Sequence, residues 1–178
     1  MILGIDFSLT ATGVCAITDG EAESITVRSV KEEHWFDFPK RVTGIAFDIE
    51  EWVGDRDPYV ILESPAFAAK SSSLDRMFGG WWLLLDVLTT ACSFAPPLLV
   101  TPSQVKKFAT GKGNAGKDEV MLATARRYPD VVIGNNNEAD ALTLAAIGAA
   151  AYEEPFMGTL TKYQQEVVDA VRAGKETI

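Results

Sequence analysis

Residues 2–14 read Ile-Leu-Gly-Ile-Asp-Phe-Ser-Leu-Thr-Ala-Thr-Gly-Val, and no other stretch constrains the fold as much. An apolar run that stops at Asp6 and resumes at Gly13 predicts a buried strand, a tight hairpin and a second strand. Aspartate is disfavoured inside strands. At a strand's carboxyl end it is either a turn cap or a group aimed out of the sheet toward a ligand. A second run has the same design: Tyr59-Val60-Ile61-Leu62 is continuously apolar, ends in Glu63, and is kept from continuing by Pro65. A strand of that kind is buried on both faces and needs helices above and below it.

The segments between these runs supply the helices. After the first two strands, Asp19-Gly20 predicts a hairpin turn, and the alternating Ile25, Val27 and Val30 predict a third strand. Val42, Ile45, Ala46, Ile49 and Trp52 recur at helical spacing from Phe38 to Val53, with Pro39 suited to a first turn. Ser72, three residues before Asp75, resembles a capping box and opens a helix carrying Leu74, Met77, Phe78, Trp81, Leu85, Leu88 and Cys92. Trp82, Leu83, Leu84 and Val87 cover much of that helix's remaining circumference, so it needs cover on two sides. The domain's own sheet is one cover. The second is a partner subunit, with Gly79-Gly80 allowing close approach, or the interior of a monomer.

Pro96-Pro97 ends this helix and Leu98-Leu99-Val100 forms a fifth strand, parallel if it returns from a helical crossover. Ser103 is expected to cap a short helix to about Phe108. A glycine-rich loop follows from Thr110 to Gly116, then helices from Lys117 to Tyr128, from Glu138 to about Tyr152, and from Thr161 onward with Tyr163, Val167, Val168 and Val171. The order predicts an α/β fold, a mixed five-stranded sheet with helices on both faces. At 178 residues and 47% hydrophobic content, one domain is expected over residues 1–155, with 156–178 adding an amphipathic helix and tail.

Cys15 and Cys92 lie in apolar segments without a CxxC or Cys/His cluster, which fits a reducing cytosol rather than a zinc or disulfide framework. No basic leader or bilayer-length apolar window is present, so a cytoplasmic protein without membrane contact is expected. The net charge of −9 argues against non-specific coating of nucleic acid. It is unevenly spread: Lys106, Lys107, Lys112, Lys117, Arg126 and Arg127 stand against only Asp118 and Glu119 in one region. That region is either a phosphate-contacting surface or a solvated face.

In an open α/β sheet, ligands sit beyond the carboxyl ends of the strands. If the first and fourth strands are adjacent and parallel, Asp6 and Glu63 converge, and Asp140 in the first turn of a late helix supplies a third carboxylate. Clustered carboxylates repel one another unless a cation neutralises them, and oxygen-only ligands suit magnesium or manganese. Such a site favours two-metal phosphoryl transfer, with cations about 3.5–4 Å apart.

Four motifs then stand in order: Gly4-Ile5-Asp6 with Thr12-Gly13, Glu63-Ser64-Pro65, Lys112-Gly113-Asn114-Ala115-Gly116-Lys117, and Glu138-Ala139-Asp140-Ala141-Leu142. Together they resemble the RuvC family of Holliday junction resolvases, particularly its bacteriophage members, from residue 2 to about 152. The resemblance implies a ribonuclease H-like fold, a homodimer, and Mg²⁺-dependent nicking of branched DNA at a four-way junction, with Mn²⁺ able to substitute. It implies hydrolysis by an activated water, leaving 5′ phosphate and 3′ hydroxyl ends. By motif position, Asp6, Glu63 and Asp140 are expected as metal ligands and catalytic residues, and Lys117 matches a lysine near the scissile phosphate. Phe67 matches the aromatic inserted near the crossover, or is an ordinary packing residue. Lys70, Lys106, Lys107 and Lys112 join Lys117 as candidate DNA contacts.

One position departs from the family. A fourth acidic residue or a histidine usually stands three before the last Asp, and here that residue is Asn137. Asn137 and Asp140 share a helix face, whereas Glu138 is about 200° from Asp140 and reaches a metal only if the first turn is irregular. Alternatively, Asn137 as N-cap with Asp140 at N3 makes a capping arrangement that needs no metal.

Three other readings compete. Gly111 to Lys117 fits GxxxxGK, but Asp118 replaces the hydroxyl residue of a P-loop and the loop follows a helix. Gly4-Ile5-Asp6-Phe7-Ser8 resembles the first phosphate loop of actin-like ATPases, which need a second domain that 178 residues do not hold. The third is a catalytically inactive module that only binds branched DNA, supported by Asn137 alone. His34 lies far in sequence from every motif and is expected to be structural or exposed.

Overall fold

The structure, a computed structural model, describes residues 1–65, 74–154, 156 and 158–175. Strands β1 (Ile2–Asp6), β2 (Ala11–Thr18) and β3 (Glu21–Arg28) form an antiparallel meander. Helix α1 (Phe38–Val53), β4 (Tyr59–Glu63), α2 (Leu74–Thr90) and β5 (Leu98–Val100) follow, then α3 (Pro102–Thr110), α4 (Lys117–Arg127), α5 (Asn136–Ala151) and α6 (Lys162–Lys175). The sheet order is β3-β2-β1-β4-β5, with β4 parallel to both β1 and β5.

The pleat sorts the core into two layers, because alternate side chains along a strand face opposite sides. Leu3, Ile5, Val60 and Leu62 point to the side covered by α1 and α2. Ile2 and Ile61 point to the side covered by α3, α5 and α6. By the same alternation Gly4, Asp6 and Glu63 belong to the α5 side.

Helix α5 is the centre of that layer. Every residue from Ala141 to Ala149 is buried, which explains a sequence with no polar face. It lies on the sheet with backbone against backbone: a Cβ on Gly4 would stand 2.3 Å from the Ala141 carbonyl oxygen, and one on Gly13 would stand 2.0 Å from that of Asn137. Helix α6 closes the layer, with buried Val167, Val168 and Val171. Its Gln164 donates to the Phe108 carbonyl, and Arg172 donates to those of Ala150 and Ala151.

Several expectations are adjusted. The Asp19-Gly20 turn has positive φ at both residues, as a hairpin with the right-handed strand twist demands. Val30 lies beyond β3 and is 88% exposed, because β3 is the sheet edge and its pairing ends at Arg28. Thr101, not Ser103, caps α3, in a reciprocal box with Gln104. The Gly111–Lys117 loop follows α3, so the strand that a P-loop needs is not there. Helix α2 buries Gly80, Trp81, Leu84, Val87 and Leu88 within the chain. Trp82 is 61% exposed, and Phe78, Leu83 and Leu85 are half-buried. Gly80 packs against Leu9, Phe7 and Phe38, while Gly79 faces open space. Ser72 lies outside the described residues. His34 is exposed and stacks on Phe36. Among the described residues no helix is long and apolar enough to cross a membrane.

Candidate active site

Adjacent parallel pairing of β1 and β4 carries Asp6 and Glu63 to the same sheet edge, where their carboxyl groups share a hydrogen bond. Asp140 comes from the second turn of α5, held over the sheet by the Gly4 and Gly13 approaches, and its charge is felt by both.

All three carboxyl groups are driven toward their neutral forms. Burial first and then the Asp140 charge push Asp6 up to about 7, against the pull of the Glu63 hydrogen bond and Lys117. Burial, the charges of Asp6 and Asp140, and the proton donated to Asp6 push Glu63 up to about 9, with Lys106 opposing. Burial pushes Asp140 up to about 6, restrained by Lys117 and Lys106. The pair therefore shares a proton, as two carboxylates in one site must when nothing else neutralises them.

The donor set fits a hard divalent cation: oxygens only, withdrawn from water, with surplus negative charge. Among the described residues no three His, Cys, Asp or Glu side chains are drawn together into a finished metal cage.

Two lysines flank the cluster. Lys117 is the first residue of α4 and acts on Asp6 and Asp140; Lys106, from α3, acts on Glu63 and Asp140. Sequence reasoning assigned Lys106 only to the DNA-contacting surface, and its place beside the carboxylates was missed. The other basic candidates are engaged elsewhere: Lys107 pairs with Glu166 on α6 at 2.8 Å and Lys112 with Glu119 at 3.2 Å. Phe67 and Lys70 lie outside the described residues.

Glu138 stands apart. Its Oε1 accepts from Thr26 Oγ1 at 2.6 Å and Asn135 Nδ2 at 2.9 Å, and its Oε2 accepts from the Gly134 N–H at 2.7 Å. These bonds pin the start of α5 to β3. The capping reading of Asn137 and Asp140 is corrected as well. Asn135 is the N-cap, its Oδ1 accepting from the N–H groups of Asn137 and Glu138, so Asp140 lies past the capping positions. Asn137 instead donates to the Ala11 carbonyl at 2.8 Å, tying α5 to the start of β2.

A meander followed by two parallel strands, with carboxylates at the ends of the first and fourth strands and on a helix across the sheet, defines a ribonuclease H-like nuclease fold. No family model matches the chain. Curated relatives do. The crossover junction endodeoxyribonuclease RuvC of Thermobifida fusca is 30% identical over 131 residues, covering 70% of each chain. That of Paenarthrobacter aurescens is 31% identical over 149 residues, covering 81% of this chain and 78% of its own. Among solved structures, Thermus thermophilus RuvC in complex with Holliday junction substrate superposes with a TM-score of 0.61 at 24% identity, over 86% of this chain and 94% of that one. A second Thermus thermophilus RuvC structure gives 0.57 at 21% identity, over 99% and 96%. The chain belongs to the RuvC family.

Proposed function

We propose that this protein is a Holliday junction resolvase, a structure-selective endonuclease that hydrolyses phosphodiester bonds in branched DNA with symmetric nicks. The observation that carries this reading is the convergence of Asp6 and Glu63, at the ends of the adjacent parallel strands β1 and β4, with Asp140 from α5, and with Lys106 and Lys117 beside them, in a chain of the RuvC family.

Asp6, Glu63 and Asp140 would hold the divalent cation, Mg²⁺ or in its place Mn²⁺. When bound, the cation stabilises charge developing on the phosphate and lowers the pKa of water. The carboxyl groups must give up their shared proton to bind it, so affinity rises with pH until they are ionised. Lys117 and Lys106 attract the scissile phosphate to the cluster and stabilise its negative charge without moving a proton. The exposed face of α2, with Trp82 between half-buried Phe78 and Leu85, is the surface through which the chain forms a homodimer. Two-fold symmetry then sets one site against each of two opposing DNA strands.

The test compares a synthetic four-way junction with a linear duplex of the same sequence. In Mg²⁺ the junction is nicked symmetrically and the duplex is spared, and chelation stops the reaction. Binding without cleavage in both Mg²⁺ and Mn²⁺ would instead establish the inactive binding module.

Glu138 is left out of the cation set, which gives a second prediction. Glu138→Gln turns one acceptor oxygen into a donor facing other donors, so it lowers stability by about 1–3 kcal/mol. Junction nicking at a temperature where the variant is folded stays within about threefold, because the side chain makes no contact with the reacting groups. A loss of several orders of magnitude in a folded variant would return Glu138 to the site.

A further inference from the structure

Trp81 lies in α2, 4% exposed, and its indole N–H donates to the backbone carbonyl of Glu63 at 2.8 Å. Indole is a donor only, and a buried tryptophan must find an acceptor for it. The acceptor here is the carbonyl at the point where β4 leaves the sheet. The N–H of the same peptide, on Ser64, donates to the Val100 carbonyl at 2.8 Å. The Glu63–Ser64 peptide is thus gripped at both polar ends, by β5 through its N–H and by α2 through its C=O. With the strand side of Glu63 held by the β4–β5 pairing, fixing that plane restricts ψ of Glu63, and with it the direction in which the Cα–Cβ bond leaves the backbone.

The preceding residue acts on the other strand. A Cβ on Gly80 would stand 3.1 Å from Leu9 and 3.2 Å from Phe7, so α2 lies directly against the chain that leaves Asp6. Consecutive residues of one helix therefore lie against the segments that follow both carboxylate-bearing strands, Gly80 against the Phe7 and Leu9 side chains and Trp81 against the Glu63 carbonyl. From these contacts we infer that Trp81 is a positioning residue, whose indole N–H aims the Glu63 carboxyl group at Asp6 and at the cation the pair takes up. The inference deepens the cation-site reading above and rests on it.

The experiment measures Mn²⁺ binding to the DNA-free protein, by the loss of the free ion's EPR signal, in wild type, Glu63→Gln and Trp81→Phe. Phenylalanine keeps a ring in the pocket and removes the N–H. Wild type binds, Glu63→Gln loses binding, and Trp81→Phe binds about tenfold more weakly, the lower end of the range for a group that orients a metal ligand. In nicking assays Trp81→Phe requires correspondingly more Mg²⁺, while its rate at saturating Mg²⁺ returns to within about threefold of wild type. A purely structural Trp81 would lower the melting temperature and leave the Mn²⁺ affinity of the folded protein unmoved, and that result overturns the inference. Absence of Mn²⁺ binding in wild type overturns the cation reading itself. Where Trp81→Phe fails to fold, site-specific 3-benzothienylalanine, which keeps the bicyclic shape with sulfur in place of N–H, makes the same measurement.

Discussion

Asp6→Asn abolishes nicking of a four-way junction, lowering the rate by about a thousandfold or more, and at the same time raises the melting temperature of the cation-free protein. Both effects have one cause. Burial and the Asp140 charge disfavour ionised Asp6, so at neutral pH the cation-free fold bears the cost of keeping proton and charge there. The amide keeps the shape, accepts a hydrogen bond from the protonated Glu63, and has no charge to bury. A gain on the order of a few kcal/mol is expected at pH 8, a rise of several degrees in a chain of this size. The pH dependence follows from the direction of the shifts. Because folding raises these pKa values, the folded chain retains protons that the unfolded chain has released. The resulting stability is complete below about pH 4, where both states are protonated. It is lost as pH climbs through about 6 for Asp140, 7 for Asp6 and 9 for Glu63. Wild-type melting temperature without cation therefore falls from about pH 4 to about pH 9, Asp6→Asn falls less, and added Mn²⁺ restores the wild type alone by mass action. A melting temperature that Asn leaves unchanged at pH 8 would contradict the buried-charge account. A nicking rate within tenfold of wild type would remove Asp6 from the reaction.

That site was legible in sequence where a residue broke its local pattern. Asp6 and Glu63 each end an apolar run in which a carboxylate is out of place, and both stand at the strand ends expected of them. Helix α1 was legible to the residue because Pro39 marks its start and Val42, Ile45, Ala46 and Ile49 mark one face. What escaped was decided by groups distant in sequence. Asn135, Asn136 and Asn137 are equally good caps by type, and the choice of Asn135 follows from Asn137 being drawn to Ala11 and pressed over Gly13. Glu138 is claimed by Thr26, 112 positions away, and no nearby residue signals that bond. Lys106 and Lys107 are neighbours of the same type. Packing of α3 gives one to the carboxylates and the other to Glu166 on α6. Trp81 reads as one apolar position in a helix full of them, and only the end of β4 reveals what its N–H is for.

Gly13→Ala tests how the third carboxylate reaches the other two. Gly13 is the register partner of Asp6 across β1 and β2, and α5 crosses directly above it. An added Cβ would stand 2.0 Å from the Asn137 carbonyl oxygen and 2.4 Å from its carbon. Both are backbone atoms inside the first turn of α5, so no rotamer change relieves the clash and the turn must lift. Asp140 lies one turn further along the same helix and lifts with it. Overpacking of this kind costs about 3 kcal/mol or more, roughly 10 °C in melting temperature for a chain of this length. A displacement of about 1 Å at a reacting centre costs on the order of a hundredfold in rate. Nicking by the folded variant should therefore fall by that factor, while binding of the junction through surfaces away from α5 persists. Gly44→Ala is the matched control. Gly44 sits in α1 with nothing within 4 Å of its would-be Cβ, so the same added methyl relieves only the conformational cost of a helical glycine. Stability there rises by about 0.5–1 kcal/mol and nicking is unchanged. If Gly13→Ala melts with wild type, α5 is not held against β2 by close backbone contact, and the placement of Asp140 over Asp6 needs another cause.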